Sequence, residues 1–387
     1  FQDSVITIEE QEMLDILQKS LKLSDSDISN LNAAEKYIPE KQIFSQAGRP
    51  WIIVQNMSMG NGLYGWGIPY IADINDAEFL AGFQLLAFAG GYFISSSYTK
   101  KMNIPLGRAY FQNTGAGLGL LSGLPLLFLV GADNWRKFDQ DFKLLITWEM
   151  LAAPLGIWRA DRLWRKWNPG DGQSSMITKG VNLGLLNTWG LYSIITDIPS
   201  GDKENWLRIG FPLSFAGGLA GGYMTHKYVS EKNYSGGDAL FVTSGMAVGF
   251  FTYVELLILT DIDNYRSSMA ILLAAVNGGA FIADKLVNSI NLNIVEAKII
   301  TLGAFASYLA WSGTALILDF DLNSDLARVI DISAVLGGWY FTYSGIARNK
   351  SIQTGVLKST KSALTLRPVI LKNYNKIFPG LQLTYSL

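Results

Sequence analysis

The sequence predicts an all-α fold made of about five tandem glycine-rich helical hairpins, embedded in a membrane and followed by a short β-like C-terminal segment. Three observations support this fold class. Charged residues make up only 16% of the 387 residues, against about 25% in typical soluble proteins. Long apolar windows carry no charge, and small residues recur at fixed intervals. A chain so poor in charge lacks the residues that would cover a water-facing surface.

Small residues four positions apart recur at intervals of 65, 65 and 58 residues. These pairs are Gly115 and Gly119, Gly180 and Gly184, Gly245 and Gly249, and Gly303 and Ser307. A second series, spaced 65, 65, 58 and 58, consists of Gly91, Gly156, Gly221, Gly279 and Gly337. A fixed interval indicates an internal repeat. Helices in lipid associate where small residues let their backbones approach, so we expect both series at helix contacts, as in a glycine zipper.

The apolar segments predict helices rather than strands. The segment KIITLGAFASYLAWSGTALIL carries large apolar residues at both odd and even positions, and it is much longer than a usual strand. A membrane-spanning helix needs about 20 mostly apolar residues. We predict nine spans, at 81–99, 109–131, 144–160, 178–196, 207–226, 239–260, 267–286, 297–318 and 328–347.

The chain divides into three predicted regions. Residues 1–80 form a soluble N-terminal region, with an amphipathic helix in VITIEEQEMLDILQKSLKLSDSDISNL. In the same region, PWIIVQNMSMGNGLYGWGIPYI predicts a loop packed on the first hairpin or, alternatively, an anchor at the membrane interface. Residues 81–347 form the repeat domain, and 348–387 form a degenerate capping half-repeat with alternating, β-like positions. The predicted units lie near 81–143, 144–206, 207–266, 267–326 and 327–387.

Loop charges segregate between the two kinds of connection. The loops inside the predicted units hold 12 basic and six acidic residues, whereas those between units hold seven basic and 11 acidic residues. Hairpins place alternate loops on opposite faces of a membrane, which we call the basic face and the acidic face. In an inner membrane the basic face would be cytoplasmic. In an outer membrane it would instead meet anionic headgroups.

Composition limits the chemistry of the chain. Without cysteine and with one histidine, it lacks thiolate metal sites, cysteine nucleophiles and paired-histidine sites. We therefore expect no metal, no cofactor and no enzymatic activity. The net charge of −1 gives no basic field to attract nucleic acid.

Two sets of residues remain as candidate sites. Glu149, Glu255 and Asp331 fall inside predicted spans, where an ionisable group suggests an ion or proton site. The alternative is a structural polar contact. The segment WRADRLWRKW resembles a membrane-interface belt that holds anionic headgroups, although nucleic-acid binding is also conceivable. Its predicted interface residues are Trp158, Arg159, Arg162, Trp164, Arg165, Lys166 and Trp167.

These observations favour a structural or scaffolding subunit of a bacterial envelope assembly. The expected partners are the lipid bilayer and other proteins or further copies of the chain. The first alternative is a transporter or channel that uses an intramembrane acid, and a weaker one is an enzyme acting on lipid. Because the sequence begins at Phe1, we expect an exported protein whose signal peptide has been removed. The sequence leaves inner and outer membrane open.

Overall fold

A computed structural model describes residues 45–129, 138–196, 203–287, 290–353, 363–373 and 376–386. The chain separates into two compact units, Phe1–Gln46 and Ala47–Leu387. The amphipathic helix predicted near the N-terminus lies outside the described residues. The fold below is that of the second unit.

The described part of this unit is helical up to residue 353. Its helices are α1 (Arg49–Met59), a π-helical segment (Gly60–Gly65), α2 (Trp66–Ile71), α3 (Ala77–Thr99), α4 (Leu106–Leu121), α5 (Gly123–Leu129), α6 (Phe138–Trp167), α7 (Asp171–Ile195), α8 (Lys203–Val229), α9 (Gly236–Thr260), α10 (Tyr265–Val287), α11 (Ile294–Ile317) and α12 (Asp325–Gln353). Strands β1 (Ala363–Asn373) and β2 (Lys376–Ser386) then form an antiparallel two-stranded sheet in which Ala363 lies opposite Ser386.

Local signals explain where several helices begin. Asp76 caps α3, and its carboxylate accepts a hydrogen bond from the Phe79 amide. Ser235 and Asp238 form a reciprocal capping box at the start of α9, and Asn293 and Glu296 do the same for α11. Each cap satisfies backbone N–H groups that have no partner inside the helix.

The helices pack mainly as neighbouring pairs. The most extensive contacts join α7 to α8, α9 to α10, α4 to α6 and α11 to α12, while α1 and the π-helical segment contact α3. Helix α9 also contacts α7, α11 and α12, which places it inside the array. Its Phe241 ring stacks on Trp339 and Tyr343 of α12, with centroids 4.7 and 5.1 Å apart.

Four helices, α3, α9, α10 and α11, are long and apolar enough to cross a membrane. Large apolar side chains remain exposed on them, such as Leu86 and Ile94 of α3 and Leu302 and Ile317 of α11. A water-soluble monomer rarely exposes a large continuous apolar surface. The other predicted spans also fall on helices, apart from residues 130 and 131, which lie outside the described residues.

The segment PWIIVQNMSMGNGLYGWGIPYI differs from the predicted loop, because the structure makes it helical. It contains α1 from its second residue, Pro50, together with the π-helical segment and α2. Its glycines misled the prediction. Gly60 lies against the backbone of Ala87 in α3, and Gly65 lies against Gln84. Gly60 and Gly65 serve close packing on α3, so they do not mark a loop.

The closest pairs also differ from the unit boundaries drawn on the sequence. Each pair combines the second helix of one predicted unit with the first helix of the next, as in α7 with α8 and α9 with α10. The connections on the acidic face therefore join the two helices of a pair. The repeat interval is unaffected, because a tandem array can be divided at either connection.

Candidate functional site

The candidate functional site consists of the helix contacts formed by small residues and the buried polar groups beside them. Between α9 and α10, Gly245 lies against the carbonyl of Gly279, and Gly249 lies against Ala275. A Cβ atom at either glycine of α9 would overlap those backbone oxygens. Four residues forward along α9 correspond to four residues back along α10, so the two helices run antiparallel. Only residues without a bulky side chain allow this approach.

The same arrangement recurs in the neighbouring pairs. In α4 and α6, Gly115 faces Gly156, and Gly119 lies against Ala152. In α7 and α8, Gly180 faces both Thr225 and Gly221, while Gly184 lies against Gly217. At the N-terminal end, Gly91 of α3 lies against Asn56 of α1. The predicted glycines of these pairs therefore lie where two backbones approach.

The last pair departs from the prediction by one residue. Gly338, rather than Gly337, lies against Ser307 and the carbonyl of Gly303. The nearest atoms to a Cβ at Gly337 would belong to Phe341 of the same helix. The connection between α11 and α12 runs from 318 to 324, longer than the 261–264 connection between α9 and α10. Shorter helical stretches offset part of this difference, so that Gly303 and Gly338 are 35 residues apart and Gly245 and Gly279 are 34 apart, and the interval of 58 residues counted from Gly279 falls one residue short.

Connections on the basic face contact one another along the chain. The Gly107 amide donates to Asp171 Oδ1 at 2.6 Å. The Gln173 side-chain amide donates to the carbonyls of Val229 and Lys232 at 2.9 and 2.8 Å. Each hydrogen bond reaches from the start of one helix to the next connection on that face. These contacts tie successive helix pairs together.

The same pattern continues at the next two connections on the basic face. The Leu292 amide donates to Asp238 Oδ1 at 2.7 Å, and the Ser235 hydroxyl donates to the Leu292 carbonyl. Gly172 packs against Ser235, and Gly237 packs against Asn293. A glycine near the start of a helix thus accommodates the connection that follows the partner helix of its own pair.

Glu255 and Asp331 share one arginine. The Arg328 guanidinium lies 3.3 Å from Glu255 Oε2 and 3.9 Å from Asp331 Oδ2. Both acidic side chains are buried, with exposed fractions of 6% and 4%. Arg328 lies in the first turn of α12, and Glu255 is about 8 Å from the end of α9, at about 1.5 Å per residue. The cluster therefore lies toward the acidic face, and two carboxylates share one cation.

Glu149 has different surroundings. It is half-buried on α6 and lies beside Gly123. Among the described residues it makes no ion pair with a basic side chain. The three acids proposed as an ion site thus do not come together in one place.

Asn187 of α7 and Asn277 of α10 form a half-buried polar contact. Their side-chain amides donate to each other at 3.0 and 2.6 Å. Reciprocal amide pairing satisfies groups that would otherwise be costly inside an apolar region. The pair joins two helices that are not consecutive in the chain.

Asp161 organises a polar cluster on the basic face. It accepts from Arg108 Nε at 2.6 Å, Gln112 Nε2 at 2.9 Å and Arg165 at 2.6 Å. Burial raises the pKa of the Asp161 carboxyl, but the hydrogen bonds from Arg108 and Gln112 and the two arginine charges outweigh it, so that the pKa is lowered. The carboxylate therefore stays ionised and holds α4 against α6.

A second cluster surrounds Asp284. Both Tyr228 and Tyr234 donate their hydroxyls to it, and Lys232 lies over the Tyr228 ring. Burial, followed by the hydrogen bond to Asp284 and its negative charge, raises the pKa of Tyr234. Tyr234 therefore remains a neutral donor at physiological pH, and the connection before α9 is fixed to α10.

The predicted interface segment divides into two sets. Trp158, Arg159, Arg162 and Lys166 are exposed, and the Arg162 guanidinium lies 4.1 Å from the centroid of the Trp158 ring. Arg165 is exposed and pairs with Asp161. Trp164 is buried, and the half-buried Trp167 stacks on His226 with centroids 3.9 Å apart. Helical spacing turns Trp164 and Trp167 inward, a direction that the sequence interpretation missed.

Sequence reasoning also missed Arg328 and Arg108 as partners of buried acids. Arg328 lies 73 residues from Glu255, and Arg108 lies 53 from Asp161. In the sequence, each is only a basic residue near the start of a predicted helix. Many solvent-exposed arginines occupy such positions. Within the described residues, no group of three or more His, Cys, Asp or Glu side chains could hold a metal ion.

Comparisons of the chain with protein families, curated proteins and solved structures found no match.

Proposed function

We propose that this protein is a structural, integral membrane subunit of a bacterial envelope, built as a tandem array of glycine-packed helical hairpins. The observation that carries the proposal is the repeated approach of one helix backbone to another, as at Gly245 with Gly279 and Gly115 with Gly156. Such contacts bring the backbones of the paired helices into direct contact. A chain with backbone contacts in successive pairs suits a stiff scaffold better than a moving transporter.

The exposed surface supports a membrane location. Only 6% of the apolar span of α3 is buried within the protein, and 17% of that of α11. The remaining apolar surface of these helices needs lipid or another protein to cover it. In a membrane scaffold both kinds of cover are present, because the outer helices contact the bilayer and the partner proteins.

Fractionation tests the location. Membranes from cells that produce the native protein are washed with alkaline carbonate, and inner and outer membranes are then separated on a density gradient. We expect the protein to stay with one membrane fraction, which also identifies the envelope layer. Release into the wash would contradict membrane integration and favour a soluble helical array covered by partner subunits.

A transporter is the second candidate, because Glu255 and Asp331 place two carboxylates beside the single guanidinium of Arg328. One uncompensated charge could bind a proton or a monovalent cation. The position of the cluster near the ends of α9 and α12 argues for a structural contact instead. A transport path would need the acids near the middle of the bilayer or beside a continuous polar path.

Proteoliposomes distinguish the two functions. Purified protein is reconstituted with a pH-sensitive dye or, separately, a sodium-sensitive dye inside the vesicles, and proton and sodium flux are measured against vesicles without protein. The scaffold proposal expects no flux above the empty vesicles, and no difference between wild type, Glu255→Gln and the control Glu149→Gln. Flux that Glu255→Gln abolishes and Glu149→Gln retains would establish the transporter.

A scaffold must also form a defined assembly. Chemical cross-linking in native membranes should yield discrete species of higher mass that contain the protein, and Glu255→Gln should leave them intact. A protein that remains monomeric at every cross-linker concentration would overturn the structural role.

A further inference from the structure

An apolar groove runs along one face of α6. It has a volume of about 380 Å³ and is walled by α4, α7 and α8. On α6 its lining begins at Trp148 and ends at Trp167. At about 1.5 Å per residue the groove follows the helix for about 28 Å, close to the thickness of a bilayer's hydrocarbon core, about 30 Å. Its length therefore lies along the helix axis.

The groove wall is almost entirely apolar. Leu155, Leu163 and Leu219 line it, and each is also partly exposed at the surface. Its few polar groups include Thr114 and Thr178, whose hydroxyls hydrogen-bond to each other at 2.9 Å. Because the two hydroxyls are hydrogen-bonded to each other, this part of the groove has little need of a polar ligand. An elongated hydrocarbon fits such a wall.

The charge beside the groove indicates which class of lipid would fit it. Arg159 lines the groove in the part that approaches the basic face, and its side chain is exposed. No carboxylate of a described residue forms an ion pair with it. The neighbouring Arg162 is also exposed and stacks on Trp158. An anionic headgroup beside Arg159 would complement this charge while its acyl chain extends toward Trp148.

We propose that this groove is a binding site for one anionic phospholipid, with an acyl chain along α6 and the phosphate beside Arg159. This inference rests on the proposed membrane location and adds a specific lipid partner to it. The lipid would fill the groove between the pair α4 and α6 and the pair α7 and α8. It would thereby contact both pairs and stabilise their packing against each other.

Native mass spectrometry of the purified full chain tests the site. The delipidated protein in detergent is titrated with phosphatidylglycerol and, separately, with phosphatidylcholine of the same acyl chains. We expect one phosphatidylglycerol to bind more tightly than the rest and phosphatidylcholine to bind at least fivefold more weakly. Removing one arginine near a charged lipid surface costs about 1 kcal/mol, which is about fivefold in affinity.

Two variants with matched controls locate the lipid. Arg159→Gln should weaken phosphatidylglycerol binding about fivefold and leave phosphatidylcholine unchanged. Arg162→Gln removes the same charge one turn away, outside the groove, and should have a smaller effect. Leu155→Trp should fill the groove and weaken both lipids, whereas Leu151→Trp alters an equally exposed position that does not line it.

Equal effects of Arg159→Gln and Arg162→Gln would overturn the assignment, because they would indicate a diffuse electrostatic attraction. Wild-type binding by Leu155→Trp would overturn it as well. Thermal unfolding of each variant in detergent shows whether it remains folded, and Arg159→Gln provides the test should Leu155→Trp not fold. If the protein is retained in membranes but binds no phosphatidylglycerol tightly, this site is refuted and the proposed structural role still stands.

Discussion

Helices α3 and α9 are both long and apolar enough to cross a membrane, yet the protein surrounds them differently. About one third of the apolar span of α9 is buried, at 33%, against 6% for α3. Helix α9 contacts α7, α10, α11 and α12, whereas α3 packs on α1, α2 and the π-helical segment. Composition alone thus identifies a candidate span, but the position in the array decides which neighbours it has. Substitutions at equivalent sites should therefore cost more in α9 and its partners than in α3.

The largest effect is expected where α9 meets α12. Arg328→Met leaves the buried carboxylates of Glu255 and Asp331 without their cation and should destabilise the protein by about 3 kcal/mol. Chemical unfolding in mixed micelles measures the loss. Lys143→Met serves as the control, because its partner Asp73 is 75% exposed and an exposed pair contributes about 0.5 kcal/mol. Equal losses in the two variants would contradict the account of the buried cluster.

The next largest effect concerns adjacent glycines. Gly279→Val places a side chain against the Gly245 carbonyl and should cost about 2–3 kcal/mol, whereas Gly278→Val points into open space and should be nearly neutral. Thermal unfolding in detergent compares the two.

The same substitution in α3 sharpens the comparison between edge and centre. Gly91→Val meets the backbone of Asn56, while Gly90→Val again meets open space. We expect Gly91→Val to cost less than Gly279→Val. The helix that must move away is α1 in the first case and α9 in the second, and α1 contacts fewer elements than α9. If Gly278→Val were as damaging as Gly279→Val, the close approach of the Gly245 carbonyl to Gly279 would not explain the loss, because helix propensity alone favours valine over glycine.

A smaller effect is expected at Asn277. Asn277→Leu leaves Asn187 without its reciprocal partner and should cost about 1 kcal/mol, as for other hydrogen bonds between helices in membranes. The double variant Asn187→Leu with Asn277→Leu should recover part of that loss. Unfolding of the single and double variants measures the coupling, and strict additivity would show that the two amides do not interact.

The smallest effect is a loss of stability in acid. The pKa of Asp161 is lowered in the folded protein, so its contribution is present above the unfolded value of about 3.9 and disappears as the pH falls through the folded value. We expect wild type to lose more stability than Asp161→Asn between pH 5 and pH 3, in about the range where carboxylates titrate. Parallel pH profiles would show that this carboxyl does not contribute.

The sequence was sufficient to predict the helices, and several of the glycines it singled out lie against a partner backbone. Their interval reflects one physical need, because each close helix crossing excludes a side chain. It could not decide between Gly337 and Gly338, since neighbouring glycines differ only in the direction they face. It also misassigned residues 50–71, where Gly60 and Gly65, which pack on α3, resemble the glycines of a loop.

Long-range partners were beyond the sequence. The pairing of Glu255 with Arg328 depends on how α9 and α12 meet, and many arginines could have served as the cation. The closest helix pairs were likewise ambiguous, because a tandem repeat can be divided at either of its connections. Trp164 is buried with its ring centroid 5.8 Å from the Arg108 guanidinium of α4, a contact that the aromatic composition of its segment does not reveal.

The central claim, a hairpin array with two faces on opposite sides of a membrane, is tested most directly by single-cysteine labelling. The chain has no native cysteine, so Lys101→Cys and Ser230→Cys on the basic face, and Asn264→Cys and Asn323→Cys on the acidic face, each introduce one thiol at an exposed position. Intact, sealed membranes are treated with a membrane-impermeant maleimide and compared with solubilised protein. The account predicts that the two sites of one face react and the two of the other react only after solubilisation. Labelling of all four sites in sealed membranes, or a split within either pair, would contradict it.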